Sequence, residues 1–214
     1  SDLDDASIAE DDRYVVVGDV LETFQELASY HRSRFSVPVI AIGGSNGKTT
    51  TKELVRTVLE SKYKTVSTRG NLNNHVGVPI TLFRLNGDTE IAVIEIGANH
   101  PHEHELLCRM VSPTHVLVTN NGKDHLEGFG SLEGVRRANA EIYDFARASG
   151  AHAFVIGTHE DLVRDSKDLS RTVYGVDAES GFFATVSFGG ERIESQLVGA
   201  FNGENIAAAL AEAG

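Results

Sequence analysis

The chain has a single cysteine, Cys108, among its 214 residues, so no internal disulfide can form and the fold must rest on its core. A reducing compartment is the matching expectation, with the cytoplasm as default. No run approaches the roughly 18 consecutive apolar residues of a membrane-spanning helix. The acidic start Ser1-Asp2-Leu3-Asp4-Asp5 also lacks the apolar stretch of a secretory leader. Neither a membrane span nor export by that route is expected. Basic residues are scarce: 19 Lys and Arg face 31 Asp and Glu, for a formal charge of -12. That is the wrong sign for tracking a phosphate backbone, so nucleic acid is not expected as a partner. A small anion could still be held where backbone N–H groups, a lysine or a metal ion overcome the global field locally. The sequence shows no internal repeat, no low-complexity tract and no serine, cysteine or histidine nucleophile motif. Cys108 lies in an apolar helical pattern with Leu106, Leu107 and Met110 and is expected in the core.

Hydrophobic residues at 41% and charged residues at 23% are ordinary for a globular chain, and the length allows one sizeable core or one core with a small appendage. Up to about residue 36 the chain reads as a leader into the main fold: the apolar run Tyr14-Val15-Val16-Val17, then a helical pattern of Leu21, Phe24, Leu27 and Ala28. From Val37, short β-rich runs alternate with helical patterns, the mark of an α/β fold with a mostly parallel sheet flanked by helices. The expected strands are Val39–Gly43, Thr65–Ser67, Ile91–Gly97, His115–Thr119 and Ala153–Ile156. The expected helices are 48–60, 102–111 and 132–148, the second closed by Ser112-Pro113. Beyond about residue 170, Phe183–Phe188 and Arg192–Leu197, joined by Gly189-Gly190, predict a small antiparallel β extension. An alanine-rich helix, Asn202–Ala213, follows. A chain that stops on this helix is expected to lack a further C-terminal domain.

The segment Val39-Ile40-Ala41-Ile42-Gly43-Gly44-Ser45-Asn46-Gly47-Lys48-Thr49-Thr50-Thr51 carries the most chemistry. An apolar strand feeds a glycine-rich turn that opens a helix. Glycines let successive N–H groups point inward, the helix N-terminus adds positive potential, Lys48 supplies charge for outer phosphates, and the Thr49 hydroxyl can ligate Mg²⁺. The usual phosphate loop has glycine five residues before Gly47, where this chain has Ile42, so it fits the shorter form Gly44-x-x-Gly47-Lys48-Thr49. Glu95 ends an apolar strand, and His125 follows another after the loop Asn120-Asn121-Gly122-Lys123-Asp124. Both should emerge at the carboxyl edge of the sheet, where open α/β folds bind ligands.

These residues resemble the Mur ligases. Gly44-Ser45-Asn46-Gly47-Lys48-Thr49-Thr50 looks like their ATP-binding signature. Asn71-Leu72-Asn73-Asn74-His75-Val76-Gly77-Val78-Pro79 resembles the substrate-contacting loop of the branch that adds D-alanyl-D-alanine. Glu95-Ile96-Gly97-Ala98-Asn99-His100-Pro101 resembles its acidic motif, His125-Leu126-Glu127-Gly128-Phe129-Gly130-Ser131 its histidine motif, and Phe201-Asn202-Gly203-Glu204-Asn205 its adenine-contacting helix start. The resemblance implies a central ATP-binding domain over residues 37–214, with residues 1–36 a remnant of, or linker from, an N-terminal domain. It implies ATP and Mg²⁺ as cofactors, Lys48, Glu95 and His125 as catalytic groups, and Thr49, Glu95 and His125 as metal ligands. Nucleotide contacts would run from Gly44 through Ser45, Asn46, Gly47, Lys48 and Thr49 to Thr50, with Asn202 and Asn205, while Asn73 and Asn74 would touch substrate. The implied reaction forms an acyl phosphate on UDP-N-acetylmuramoyl-tripeptide, which D-alanyl-D-alanine attacks.

One residue departs from the family. The lysine whose carbamate helps hold a second magnesium is matched by Asn139, in Arg136-Arg137-Ala138-Asn139-Ala140-Glu141-Ile142, and asparagine cannot be carbamylated. Its spacing from Val135 and Ile142 points it inward. Three explanations stay open: a direct amide contact to metal or phosphate, charge from another residue such as Arg136 or Arg137, or an impaired enzyme. Asp124 could orient the His125 imidazole. The cluster His100-Pro101-His102-Glu103-His104-Glu105 reads as a polar helix start, with Pro101 in the first turn capped by Asn99 or His100, ahead of a transition-metal site. Without flanking domains, weak nucleotide binding and slow turnover are expected. The competing readings are another Mur or folylpolyglutamate-type ligase, and a nucleotide-binding module without ligase chemistry, which Asn139 favours.

Overall fold

The computed structural model describes residues 15–122, 126–175, 177–179, 183–188, 191–199 and 201–213. Its main sheet holds β1 (Val39–Gly43), β2 (Thr65–Ser67), β3 (Ile91–Glu95), β4 (His115–Val118), β5 (His152–Ile156) and β6 (Arg171–Tyr174). The spatial order is β2-β3-β1-β4-β5-β6, with every pairing parallel. β1 is buried along its whole length and β3 and β4 nearly so, which explains why they read as continuous apolar runs: helices cover both faces. Register aligns Ile42 with Glu95 on one side and Gly43 with Val118 on the other, so the loops leaving β1, β3 and β4 meet at one carboxyl edge. Successive connections run from β1 toward β2 but from β4 toward β5, so the strand order reverses beside β1, where α/β sheets open a ligand crevice.

The helices are α1 (Val20–Ser33), α2 (Lys48–Glu60), α3 (Gly77–Leu82), α4 (Glu103–Val111), α5 (Leu126–Phe129), α6 (Leu132–Ser149), α7 (Glu160–Asp165) and α8 (Phe201–Ala213). α6 has clear end signals: the Ser131 hydroxyl accepts from Gly134 N, and Gly150 closes the helix in the left-handed region. Val135, Ala138, Asn139, Ile142, Tyr143 and Ala146 form its buried face. β7 (Asp177–Glu179), β8 (Phe183–Phe188) and β9 (Glu191–Val198) make a separate antiparallel sheet whose Val186 and Ala184 pack toward Ile206 of α8. The expected Gly189-Gly190 turn lies outside the described residues, but Phe188 pairs with Glu191 across it.

Several expectations need correction. α4 begins at Glu103, after a left-handed His102 (φ 70°), so Pro101 precedes the helix and neither Asn99 nor His100 caps it. The cap comes from another helix. The Glu141 carboxylate of α6 accepts from His102 N at 2.7 Å and Glu105 N at 3.1 Å, while Glu103 reaches back to Asn99 N. β3 stops at Glu95 because Gly97 N donates to Asn73 O, leaving the sheet for a loop. α3 was hidden behind Gly77 and Pro79, which read as loop residues, although proline in a first turn sacrifices no helical bond. β6 and α7 were also missed, both being short and half polar. The helical pattern of Leu21, Phe24, Leu27 and Ala28 does form α1, but Leu21 and Leu27 are exposed, as are Val15 and Val16 ahead of it. α1 docks instead through Ala28, Phe24 against Phe83, and the buried Arg32 guanidinium, which donates to Val111 O, Ser112 O and Phe35 O.

Candidate functional site

The loop between β1 and α2 turns on two glycines. Gly44 has φ +113°, and a β-carbon there would stand 2.3 Å from Thr119 Oγ1 and 2.7 Å from Thr119 N; Gly47 has φ +82°, with Asn205 Oδ1 at 2.7 Å. At Gly44 any side chain would collide with the backbone that follows β4, and at Gly47 the left-handed φ strains any other residue while the Asn205 amide would have to shift. Lys48 opens α2, and its Nζ donates to Gly44 O and Ser45 O, both at 2.7 Å, so the ammonium folds over the loop. Thr50 stands half-buried in the same first turn. A clamp from β4 holds the loop's outer side: Ser45 N donates to Asn120 O, Asn46 N to Asn120 Oδ1 at 3.1 Å, and Asn120 Nδ2 back to Asn46 O at 3.0 Å.

Beside the loop, Glu95 is 1% exposed. Its Oε1 accepts from Thr49 Oγ1 at 3.1 Å and Asn73 Nδ2 at 2.8 Å, while its Oε2 is buried with no partner among the described residues. A buried carboxylate oxygen left bare is costly. An acidic oxygen beside a threonine hydroxyl is the hard donor set that divalent magnesium takes, so these residues fit that ion. Ser45 Oγ and Thr119 Oγ1 are likewise buried without a partner among the described residues, next to Gly44. His125 and Asp124, assigned to the same edge, lie outside the described residues.

The two loop asparagines separate in role. Asn73 reaches Glu95, whereas the Asn74 side chain accepts from Val76 N and Gly77 N at the entry to α3. Asn202 and Asn205 join the phosphate loop from α8: Thr51 Oγ1 donates to Asn205 Oδ1, Asn205 Nδ2 to Asn202 Oδ1, and Asn202 Nδ2 to Val198 O. The geometry thus brings Gly44 through Thr50, Glu95, Asn73 and Asn205 together.

Asn139 does point inward and is 4% exposed. Its Nδ2 donates to Asn121 Oδ1 at 2.8 Å and to Asn120 O at 3.4 Å, and Asn121 Nδ2 in turn donates to Asp161. The amide therefore braces the turn after β4 that clamps Asn46. Neither arginine supplies the missing charge: Arg136 is committed to Asp165 through two bonds, and Arg137 is exposed beside Glu133. The histidine cluster does not form a metal site. His104 is buried with Nδ1 against Ala138 O at 3.0 Å, and burial pushes its pKa down to about 4. His100 faces solvent beside Glu103, and no group of three His, Cys, Asp or Glu among the described residues could hold a metal ion. Cys108 is buried and its thiol is pushed far up by desolvation, as a core residue should be. No described helix is long and apolar enough to cross a membrane. A cavity of about 660 Å³ opens near Arg32, Arg109 and Pro113, away from the phosphate loop.

Sequence reasoning missed Asn120, Thr119, Thr68 and Lys52. Thr68 Oγ1 accepts from Glu95 N at 2.9 Å, and the Lys52 side chain is wholly buried. Only Lys52 had a signal: it lies four residues after Lys48, on the same face of α2.

The Mur ligase middle domain family matches residues 42–213. The UDP-N-acetylmuramoyl-tripeptide--D-alanyl-D-alanine ligase of Escherichia coli (strain K12) is 44% identical over 174 residues, which is 80% of this chain and 38% of that protein. A crystal structure of MurF from Acinetobacter baumannii superposes with a TM-score of 0.85 at 30% identity, over 92% of this chain and 47% of that one. The MurF ligase from Thermotoga maritima in complex with ADP gives 0.82 at 27% identity, over 94% and 51%. The chain thus spans well under two thirds of these relatives.

Proposed function

The chain belongs to the Mur ligase family through its middle domain, and from that premise we propose that it is the ATP-binding part of a cytoplasmic, Mg²⁺-dependent ligase that joins D-alanyl-D-alanine to UDP-N-acetylmuramoyl-tripeptide. One observation carries the reading: the buried Glu95 carboxylate, with a bare Oε2, sits between Thr49 of the phosphate loop and Asn73 of the loop assigned to substrate. ATP chemistry and the acceptor carboxylate then meet at a single edge. The relative of known structure that holds ADP matches over 94% of this chain, which supports a nucleotide on this loop.

In this mechanism the loop N–H groups and the Lys48 ammonium cradle the phosphates, and Lys48 leaves Gly44 O and Ser45 O to do so. Thr49 and Glu95 would hold the magnesium, which would supply the charge that neutralises mutually repelling phosphate and carboxylate oxygens. Asn73 keeps Glu95 aimed and lies where the acceptor enters. The γ-phosphate passes to the acceptor carboxylate, and the dipeptide amine displaces phosphate from the resulting acyl phosphate. No side chain forms a covalent bond to substrate; positioning and electrostatics supply the rate.

Asn139 keeps a second reading in view, a nucleotide-binding module without ligation. Phosphate release measured on the protein at its full natural length separates the two. The ligase requires release that depends on Mg²⁺, tripeptide precursor and dipeptide together. Nucleotide binding without that dependence would establish the module.

A further inference from the structure

Lys52 is the one lysine in the described residues whose side chain is completely buried. Its Nζ donates to Thr68 O at 2.9 Å, reaches Gly70 O at 3.5 Å and pairs with Glu53. A buried ammonium survives only when its protons are taken up. Here backbone carbonyls of a different segment take two of the contacts, and that segment runs from the end of β2 into the loop that carries Asn73. The loop is tied at two points. Thr68 gives its carbonyl to Lys52 and its hydroxyl to Glu95 N, and farther along Asn73 Nδ2 meets Glu95 Oε1. Lys48, Thr49 and Lys52 share a face of α2, at spacings of three and four residues. A single helix therefore presents the phosphate-binding lysine, the metal-facing hydroxyl and the clamp on the acceptor loop.

We propose that Lys52 is a positioning residue that fixes the Asn71–Asn74 loop against the phosphate-loop helix, so that it acts on the acceptor and not on the nucleotide. Its charge is spent on Thr68 O, Gly70 O and Glu53, away from the carbonyls of Gly44 and Ser45 where Lys48 lies. Glu53 reflects the pairing: the Lys52 ammonium, followed by Arg56, holds its carboxyl below the usual range. A lysine serves here because its ammonium is a compact cation on a flexible stem, able to meet carbonyls that diverge. The inference rests on the ligase reading for the loop's role, while the physical tie stands apart from it.

The test is Lys52→Met, which keeps the apolar stem and removes the charge. Amide hydrogen exchange is followed over residues 69–76 and over α2, and affinity for a non-hydrolysable ATP analogue with Mg²⁺ is measured alongside. Loop protection is expected to fall at least tenfold while analogue affinity stays within about threefold. In the full-length protein, KM for the tripeptide precursor should rise at least tenfold with KM for ATP little changed, and Lys52→Arg should restore part of the loss. Unchanged loop protection overturns the proposal. So does a joint loss of loop protection and nucleotide affinity, since the lysine would then merely support α2. If Lys52→Met does not fold, Lys52→Gln, which also removes the charge, is read by the same two measurements against the same limits. Failure of the wild-type chain to bind the analogue counts against the ligase reading instead, and leaves the loop measurement to decide this one.

Discussion

Replacing Asn120 by alanine should weaken nucleotide binding without unfolding the protein. The side chain makes a reciprocal pair with one residue of the phosphate loop, accepting from Asn46 N at 3.1 Å and donating to Asn46 O at 3.0 Å. Alanine removes both bonds but leaves the backbone bond from Ser45 N to Asn120 O, so the loop loosens on one side only. Asn46 is exposed, so water can satisfy its freed groups and no desolvation penalty is added. Two neutral hydrogen bonds at about 0.5–1.5 kcal/mol each give about 1–3 kcal/mol, the ordering cost that a bound phosphate must then supply. At about 1.4 kcal/mol per tenfold, Kd should rise roughly 5- to 150-fold. Isothermal titration with a non-hydrolysable ATP analogue and Mg²⁺ measures it, with thermal unfolding as control. An Asn120→Ala Kd within twofold of wild type would show that the loop needs no clamp from β4, and the reasoning would fail.

Gly44→Ala should abolish measurable analogue binding, because its β-carbon meets Thr119 Oγ1 at 2.3 Å and backbone N at 2.7 Å at a φ of +113°; retained binding in a titration would contradict that strain. Asn139→Ala leaves Asn121 Oδ1 without its donor and should cost about 1–2 kcal/mol, lowering Tm by about 2–8 °C at the roughly 2–4 °C per kcal/mol of a chain this size; an unchanged melting curve would deny the amide a structural role. His104 predicts an acid limit. Its folded pKa of about 4 lies below the ordinary 6.5, so between those values the unfolded chain binds the extra proton and stability falls as pH falls. At about 1.4 kcal/mol per pH unit the loss approaches about 3 kcal/mol by pH 4. Denaturant melts of His104→Leu across pH 4–7 should show a flatter dependence than wild type, and equal slopes would sink the assignment.

The parallel sheet and the phosphate loop were legible in the sequence because they follow from local chemistry: apolar runs for strands buried on both faces, glycines where φ is positive, and Lys48-Thr49 at a helix start. Glu95 was found for the same reason, as the acid that ends a buried strand. Tertiary structure decided the rest, since those features depend on which segments the sheet order brings side by side. β1 lies beside β4 and β2 beside β3, and these pairings set Asn120 against Asn46 and Asn73 against Glu95. The start of α4 could not be read from Pro101, because the carboxylate that caps it belongs to Glu141 on another helix. The burial of Lys52 depends on the loop after β2, whose Thr68 and Gly70 carbonyls take its ammonium. A phosphate loop can be written in a dozen consecutive residues, whereas the partners that hold it in shape come from the end of β3, the turn after β4 and α8, and take their places only when the chain has folded.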